Sequence, residues 1–263
     1  MPMPKNHRSP LTTVERRSEI LDVLQREGNV RVQDICKQFH VSEVTIRNDL
    51  KVLGQKGLVH RTHGGAIRSN FFVKDLPVED KKKKQVEEKR RIGKGAAALV
   101  QDGETVILDS GTTTMEIARN LGTKKNLTII TNAINIAWEL AQFEKLKVIL
   151  TGGIMRPESY SLVGPHAEST LRKHFVEKFF LGVDGFHVRY GLTTPNVLEA
   201  QLNKQMIEIS RETIVVADSS KFGVRSFSLI ADVSKISKVV TDSGIPEEDL
   251  SYLVDNGIEV IIA

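Results

Sequence analysis

Arg47 and Asn48 stand side by side in the run Ser42-Glu43-Val44-Thr45-Ile46-Arg47-Asn48-Asp49-Leu50. These side chains suit the reading of DNA base edges: an arginine donates as a fork to guanine, and an asparagine pairs bidentately with adenine. An exposed Val44 or Thr45 methyl can touch a thymine methyl. A second group of residues points to a different chemistry. Asp109-Ser110-Gly111-Thr112-Thr113-Thr114, Thr131-Asn132, Thr151-Gly152-Gly153, Gly182-Val183-Asp184-Gly185 and Asp218-Ser219-Ser220-Lys221 are short clusters of hydroxyls, carboxylates and glycines. Such clusters suit a small, polar, anionic ligand.

The elements that must position Arg47 and Asn48 follow from helical period. Val32, Ile35, Cys36 and Phe39 recur at i, i+3, i+4 and i+7, one apolar stripe on a short helix that should bury the Cys36 thiol. His40-Val41 reads as a tight turn and Ser42 as an N-cap. In the next helix Ile46, Leu50 and Leu53 must face inward, which leaves Val44, Arg47, Asn48 and Lys51 outward with Thr45 at the margin. Two short helices joined this way form a helix-turn-helix, whose second helix enters the major groove. Leu58 to His63 then alternates like a strand, Gly64-Gly65 turns, and Ala66 to Arg68 returns. This hairpin is a wing with Arg61, His63 and Arg68 placed for phosphates. Upstream, Thr12 or Thr13 can cap a helix carrying Ile20, Leu21 and Leu24. The competing reading, ordinary solvated charges on a small helical domain, is disfavoured because turn, cap, inward triad and basic hairpin agree.

The mainly α DNA-binding domain is therefore expected over residues 1–69, a Pro77-containing linker over 70–78, and a second domain over 79–263. Asp80 to Val100 reads as one long helix. Its Lys81-Lys82-Lys83-Lys84 and Glu87-Glu88-Lys89-Arg90-Arg91 runs, with opposite charges three and four apart, read as a solvated face rather than a second DNA contact. Strands are predicted at Thr105 to Asp109, Leu127 to Thr131, Leu146 to Thr151, Phe179 to Asp184, Thr213 to Asp218, Lys238 to Asp242 and Ile258 to Ile262. Helices fit between them at Met115 to Leu121, Ala133 to Phe143, His166 to Phe175, Val197 to Ser210 and Glu247 to Asn256. The alternation implies an α/β domain with a mostly parallel sheet. In such sheets ligands bind beyond the carboxyl ends of the strands, where the polar clusters fall. Ser110 to Thr114 would offer hydroxyls and backbone N–H groups at a helix start, and Lys221 a point charge, so a phosphate is expected there. For any one loop, Gly and Thr as simple turn formers remains the competing reading.

Composition limits the possibilities. Of 263 residues, 40% are hydrophobic and 27% charged, as in an ordinary folded protein. Residues 1–68 carry 12 Lys and Arg against 7 Asp and Glu, a net +5; residues 92–263 carry 17 against 21, a net −4. A basic head and an acidic body imply that only the head meets a polyanion. The lone Cys36 permits no intramolecular disulfide, no apolar run is long enough to span a membrane, and Met1 to Pro10 is no signal peptide. A cytoplasmic protein without metal or cofactor is expected.

The runs Ile35-Cys36-Lys37-Gln38-Phe39-His40-Val41-Ser42, Thr45-Ile46-Arg47-Asn48-Asp49-Leu50 and Arg61-Thr62-His63-Gly64-Gly65-Ala66 resemble the DeoR family of bacterial transcription regulators. Asn48 departs from the arginine common there. The resemblance extends through the second domain and implies a fold similar to ribose-phosphate isomerases and CoA-transferases. It implies phosphate contacts at the Ser110-Gly111-Thr112-Thr113 loop and at Asp218-Ser219-Ser220-Lys221. At the places of the isomerase carboxylate and lysine stand His187 and Gly191-Leu192-Thr193-Thr194, while Glu199 is retained, which implies binding without turnover. Gly182-Val183-Asp184 and Gly191 to Ala200 look most like the branch that regulates N-acetylgalactosamine and galactosamine uptake. The function expected is a repressor of a sugar or amino-sugar operon with no catalytic residues. Its DNA-binding residues would be Ser42, Val44, Thr45, Arg47, Asn48, Lys51, Arg61 and His63. A phosphorylated sugar, first an amino-sugar 6-phosphate, would meet Asp109 to Thr114, Asn132, Gly152, Gly153, Asp184, Asn196, Glu199 and Lys221, with His187, Arg156 and Tyr160 also able to select the sugar. A homodimer or homotetramer is expected, since one head reads too few bases. The alternative is a sugar-phosphate isomerase or deaminase tethered to DNA.

Overall fold

The computed structural model describes residues 12–27, 29–55, 58–62, 64–68 and 75–263. The chain divides into two compact units, 1–71 and 72–263.

The first unit runs α1 (Thr13–Glu27), β1 (Asn29–Arg31), α2 (Val32–Phe39), α3 (Glu43–Gln55), β2 (Val59–Thr62) and β3 (Gly65–Arg68). A capping box starts α1: the Glu15 N–H donates to the Thr12 hydroxyl at 3.3 Å, and the Thr12 N–H donates back to Glu15 Oε2 at 2.9 Å. Ile20, Leu24, Val32, Ile35, Ile46, Leu50, Leu53 and Val59 make its core. His40 closes α2 in the left-handed region at φ 56°, and the Val41 N–H reaches the Cys36 carbonyl, so the turn forms where the sequence places it. Cys36 is only half-buried, against the expected buried thiol, because it flanks the stripe rather than centring it. The wing is an antiparallel sheet ordered β1-β3-β2, whose first strand the sequence reading did not include. A Cβ on Gly65 would fall 1.8 Å from the Val30 carbonyl oxygen, so only glycine lets β3 approach β1.

The second unit opens with α4 (Val78–Lys81) and α5 (Val86–Ala98). The single helix expected over 80–100 is thus broken. Lys89 Nζ donates to the carbonyls of Lys81 at 2.7 Å and Lys84 at 2.6 Å, and Gln85 turns left-handed at φ 48° before α5 begins. There follow β4 (Thr105–Leu108), α6 (Thr112–Arg119), β5 (Thr128–Thr131), α7 (Ile134–Leu140), β6 (Lys147–Leu150), β7 (Ile154–Arg156), β8 (Ser161–Val163), α8 (Pro165–Leu171) and β9 (Val176–Gly182). The chain continues through β10 (Gly185–His187), β11 (Gly191–Thr194), α9 (Val197–Glu208), β12 (Ser210–Val216), β13 (Ser228–Ala231), β14 (Lys238–Thr241), α10 (Glu247–Asp255) and β15 (Glu259–Ile262).

Seven of these strands form one sheet, ordered β15-β14-β12-β9-β4-β5-β6, and every pair in it is parallel. Val106 and Leu108 point into a core shared with Ile92, Ile117 and Ile136, while Ile107 points into one shared with Leu171, Leu202 and Leu253. Covered on both faces, the strands need the continuous apolar runs that the sequence carries. Helices α5 and α6 lie close: a Cβ on Gly93 would sit 2.4 Å from Glu116 Cβ. The β7-β8 hairpin and the antiparallel β10-β11-β13 sheet are additions beyond the sequence reading. On α7 the indole of Trp138 is 83% exposed. Among the described residues no helix is long and apolar enough to cross a membrane.

Candidate functional sites

In the first unit, α3 presents its candidate base-reading face as a consequence of what it buries. Ile46, Leu50 and Leu53 lie at 0 to 3% exposure, and Asp49 beside them is gripped by Arg16 Nε at 2.6 Å and Arg17 Nε at 2.7 Å, both from α1. This clamp, which the sequence reading missed, fixes the rotation of α3 against α1. Val44, Arg47, Asn48 and Lys51 are exposed and Thr45 is half-buried. Ser42 Oγ accepts from the Thr45 N–H at 3.2 Å, the N-cap expected of it. Arg47 Nη2 rests 3.1 Å from Glu43 one turn earlier, an exposed pair that costs little to exchange for a base or phosphate. Arg61 belongs to β2; its side chain, like that of Arg68, lies outside the described residues, as does His63 altogether.

In the second unit a crevice of about 650 Å³, open mouth included, lies beyond the carboxyl ends of β4, β9 and β12. It brings together Asp109, Ser110, Gly111, Thr112, Thr113, Asp184, Glu199 and Lys221 of the expected residues. Parallel strands put these distant positions at one end of the sheet. The loop after β4 leads directly into α6, whose first-turn N–H groups are free to meet an anion. The Thr114 hydroxyl instead donates to the Gly111 carbonyl at 3.1 Å and is fully buried. Asn132, Gly152, Gly153 and Asn196 also do not line the crevice. Asn196 caps α9, its Oδ1 accepting from the N–H groups of Leu198 at 2.9 Å and Glu199 at 3.2 Å. Asn132 is wholly buried at the end of β5, with neither amide atom hydrogen-bonded. Tyr160 carries Lys82 6.0 Å above its ring, and His187 packs edge-on to Tyr190 at 4.6 Å.

Two lysines join the crevice that the sequence reading left in solvent. Lys81 Nζ lies 2.7 Å from Asp184 Oδ1, with Lys221 Nζ 3.9 Å from the same oxygen. Lys89, 6% exposed, also lines the crevice, and burial lowers its ammonium pKa from the ordinary range. Its signal was present: Lys89, Ile92 and Ala96 stand at i, i+3 and i+7, the stripe of α5 that turns inward. For Lys81 no local signal exists, since three more lysines follow it in the same charged run. A 3₁₀ turn at Ser219–Lys221 places Lys221, held by Asp218 accepting from the Ser220 N–H and Asp242 from the Ser219 N–H at 2.7 Å.

The carboxylates divide by environment. Burial pushes Asp109 well above the usual carboxylate range, and the charges of Glu199 and Asp184 add to the effect. Its oxygens take donors from Ser110 Oγ and Asn203 Nδ2, each at 3.4 Å. Glu199 is fully engaged: Oε1 accepts from Ser159 and Ser161, each at 2.7 Å, and pairs with Arg156, while Oε2 accepts from Thr194 at 3.2 Å. A carboxylate so occupied is a structural post and not a base poised to take a proton from substrate. Arg156 is likewise held, between Glu199, Asp75 and the hydroxyl of Ser159.

The relatives agree with a regulatory reading. A protein of Escherichia coli O157:H7 named as an aga operon transcriptional repressor is 40% identical, covering 95% of this chain and 94% of its own. The HTH-type transcriptional repressor GlcR of Bacillus subtilis is 34% identical over 94% of this chain and 95% of its own. Among solved structures, ribose 5-phosphate isomerase A from Neisseria gonorrhoeae covers 51% of this chain and 52% of its own at 17% identity and a TM-score of 0.39. Residues 16–70 match the DeoR-like helix-turn-helix domain and residues 84–243 the DeoR C terminal sensor domain, and this chain is accordingly a transcription regulator of the DeoR family.

Proposed function

We propose that this chain represses a sugar or amino-sugar utilisation operon and that a phosphorylated sugar in the crevice of the second unit controls its hold on operator DNA. The observation that carries the reading is the gathering of Lys81, Lys89 and Lys221 around the start of α6, in a crevice that also offers Asp109, Asp184 and Thr194. Ammonium groups and first-turn N–H groups bind phosphate, and the carboxylates bind hydroxyls or an amino group. The names of the relatives support a sugar operon, and an amino-sugar 6-phosphate is the first ligand to try. On the DNA side, Val44, Thr45, Arg47 and Asn48 would meet base edges, while Ser42, Lys51, Arg61 and His63 would meet phosphates.

The test is an operator mobility-shift titration with a panel of sugar and amino-sugar phosphates. One compound is expected to change operator affinity in a saturable way, and Lys221→Ala to demand a higher concentration of it. In the same assay Arg47→Ala is expected to lose about 1–3 kcal/mol of operator binding, the value of one bidentate base contact. Equal binding to operator and random DNA would sink the DNA half, and no response to any compound would sink the ligand half.

A further inference from the structure

The crevice wall is built partly from the first described residues of the second unit, and that placement suggests how a ligand could be felt elsewhere. Residues 75–89 form a strap tied to the rest of the unit at three points and folded on itself at a fourth. Asp75 pairs with Arg156, which in turn pairs with Glu199. The Val78 N–H donates to the Glu158 carbonyl at 2.6 Å, and the Val78 side chain is buried. Lys81 Nζ meets Asp184 at 2.7 Å, and Lys89 Nζ closes the strap on itself through the carbonyls of Lys81 and Lys84. Val78, Lys81 and Lys89 all line the crevice, so two of the ties and the fold-back face the volume a ligand would fill. Along the chain the strap is also the segment nearest to the DNA-binding unit, which ends at residue 71.

From this arrangement we propose that Lys81 is the coupling residue of the sensor: it can exchange Asp184 for the ligand's anionic group, so that binding resets the strap that leads to the DNA-binding unit. The proposal rests on the crevice being the sugar-phosphate site. Its physical basis is that a ligand shifts an equilibrium only through contacts that differ between two states. Lys89 is engaged by two carbonyls, and Lys221, 3.9 Å from Asp184, sits on a turn fixed by Asp218 and by Asp242 just past β14. Lys81 alone among these three lysines belongs to the short helix of the strap and owes its main contact to a residue across the crevice. An arriving phosphate offers it a second anion, and Asp184 is then left to bind a hydroxyl or amino group of the same ligand.

The experiment uses the full chain, with galactosamine 6-phosphate, N-acetylgalactosamine 6-phosphate and inorganic phosphate as probes. It measures probe binding by calorimetry and operator affinity with and without saturating probe. For Lys81→Met the probe should bind about tenfold more weakly, the loss of one charge-assisted hydrogen bond. At saturation the operator affinity of this variant should no longer respond. Lys81→Arg should restore the response, and Lys82→Met, altering a residue paired with Glu79 and 6.0 Å from the centre of the Tyr160 ring, should behave as the unaltered chain. A Lys81→Met chain whose operator affinity still responds in full at saturation overturns the coupling and leaves the ligand site standing. An unaltered chain that binds none of the probes removes the site and the coupling together. A melting temperature for Lys81→Met near that of Lys82→Met separates lost coupling from lost fold.

Discussion

Asp109 lies at the end of β4 with its carboxyl out of water, and Glu199 and Asp184 oppose its ionisation further. The folded chain therefore holds this proton more tightly than the unfolded chain does. A raised carboxyl stabilises fully below its ordinary value of 3.8, and the contribution is lost as pH rises through the folded value. Asp109→Asn keeps the shape and cannot ionise. Its melting temperature is expected to gain on that of the unaltered chain as pH rises from about 4 to neutrality; a constant difference over that range would show that Asp109 titrates as in water. At this scale the sequence was partly legible. Residues at strand ends, such as Ser110, Asp184 and Lys221, could be found because a parallel sheet gathers strand ends whatever its order. Asn196 could not be told from a ligand contact, because the same amide oxygen suits a helix cap. Lys81 looked solvated because a run of lysines hides which of them tertiary contacts turn inward, and Lys89 because its charged neighbours outweighed the apolar stripe it shares with Ile92 and Ala96.

Helices α5 and α6 show what an element demands of single positions. Their contact leaves no room for a side chain at Gly93, and the nearest atoms there are the backbone and Cβ of Glu116, which cannot swing aside. Gly93→Ala must push α6 off α5, and with it the Ser110-to-Thr113 loop that α6 carries. Overpacking of this kind costs typically about 1–3 kcal/mol. Denaturant unfolding should show that loss together with weaker sugar-phosphate binding, and an unchanged midpoint would contradict the packing. In the second unit the seven central strands and five of the helices were readable, since apolar runs and the 3.6 period are properties of the elements themselves. The break between α4 and α5 was not, because it is set by Lys89 folding back on the carbonyls of Lys81 and Lys84, a contact that helical period does not reveal. Strands β1, β7 and β10 have three residues each, too few for alternation to show, and they exist through the partners they pair with.

Across the whole molecule charge is uneven: the first unit is basic, and acidic excess is confined to residues 92–263 of the second. One winged head spans too little DNA for a unique site, so we propose that two or four chains act together, each pair matching the two-fold of its operator. Light scattering at micromolar concentration should give a mass twice or four times that of one chain, and a strictly single-chain mass would refute it. Readings of stability on the same samples depend on a feature of α7. Trp138 is the only tryptophan in the sequence and its ring already stands in water. Unfolding a single chain barely changes the surroundings of such an indole, so its emission is a poor gauge of folding, and helical circular dichroism must serve instead. The same indole would brighten or shift to the blue only if something came to cover it, which makes it a built-in optical reporter of contact at that face.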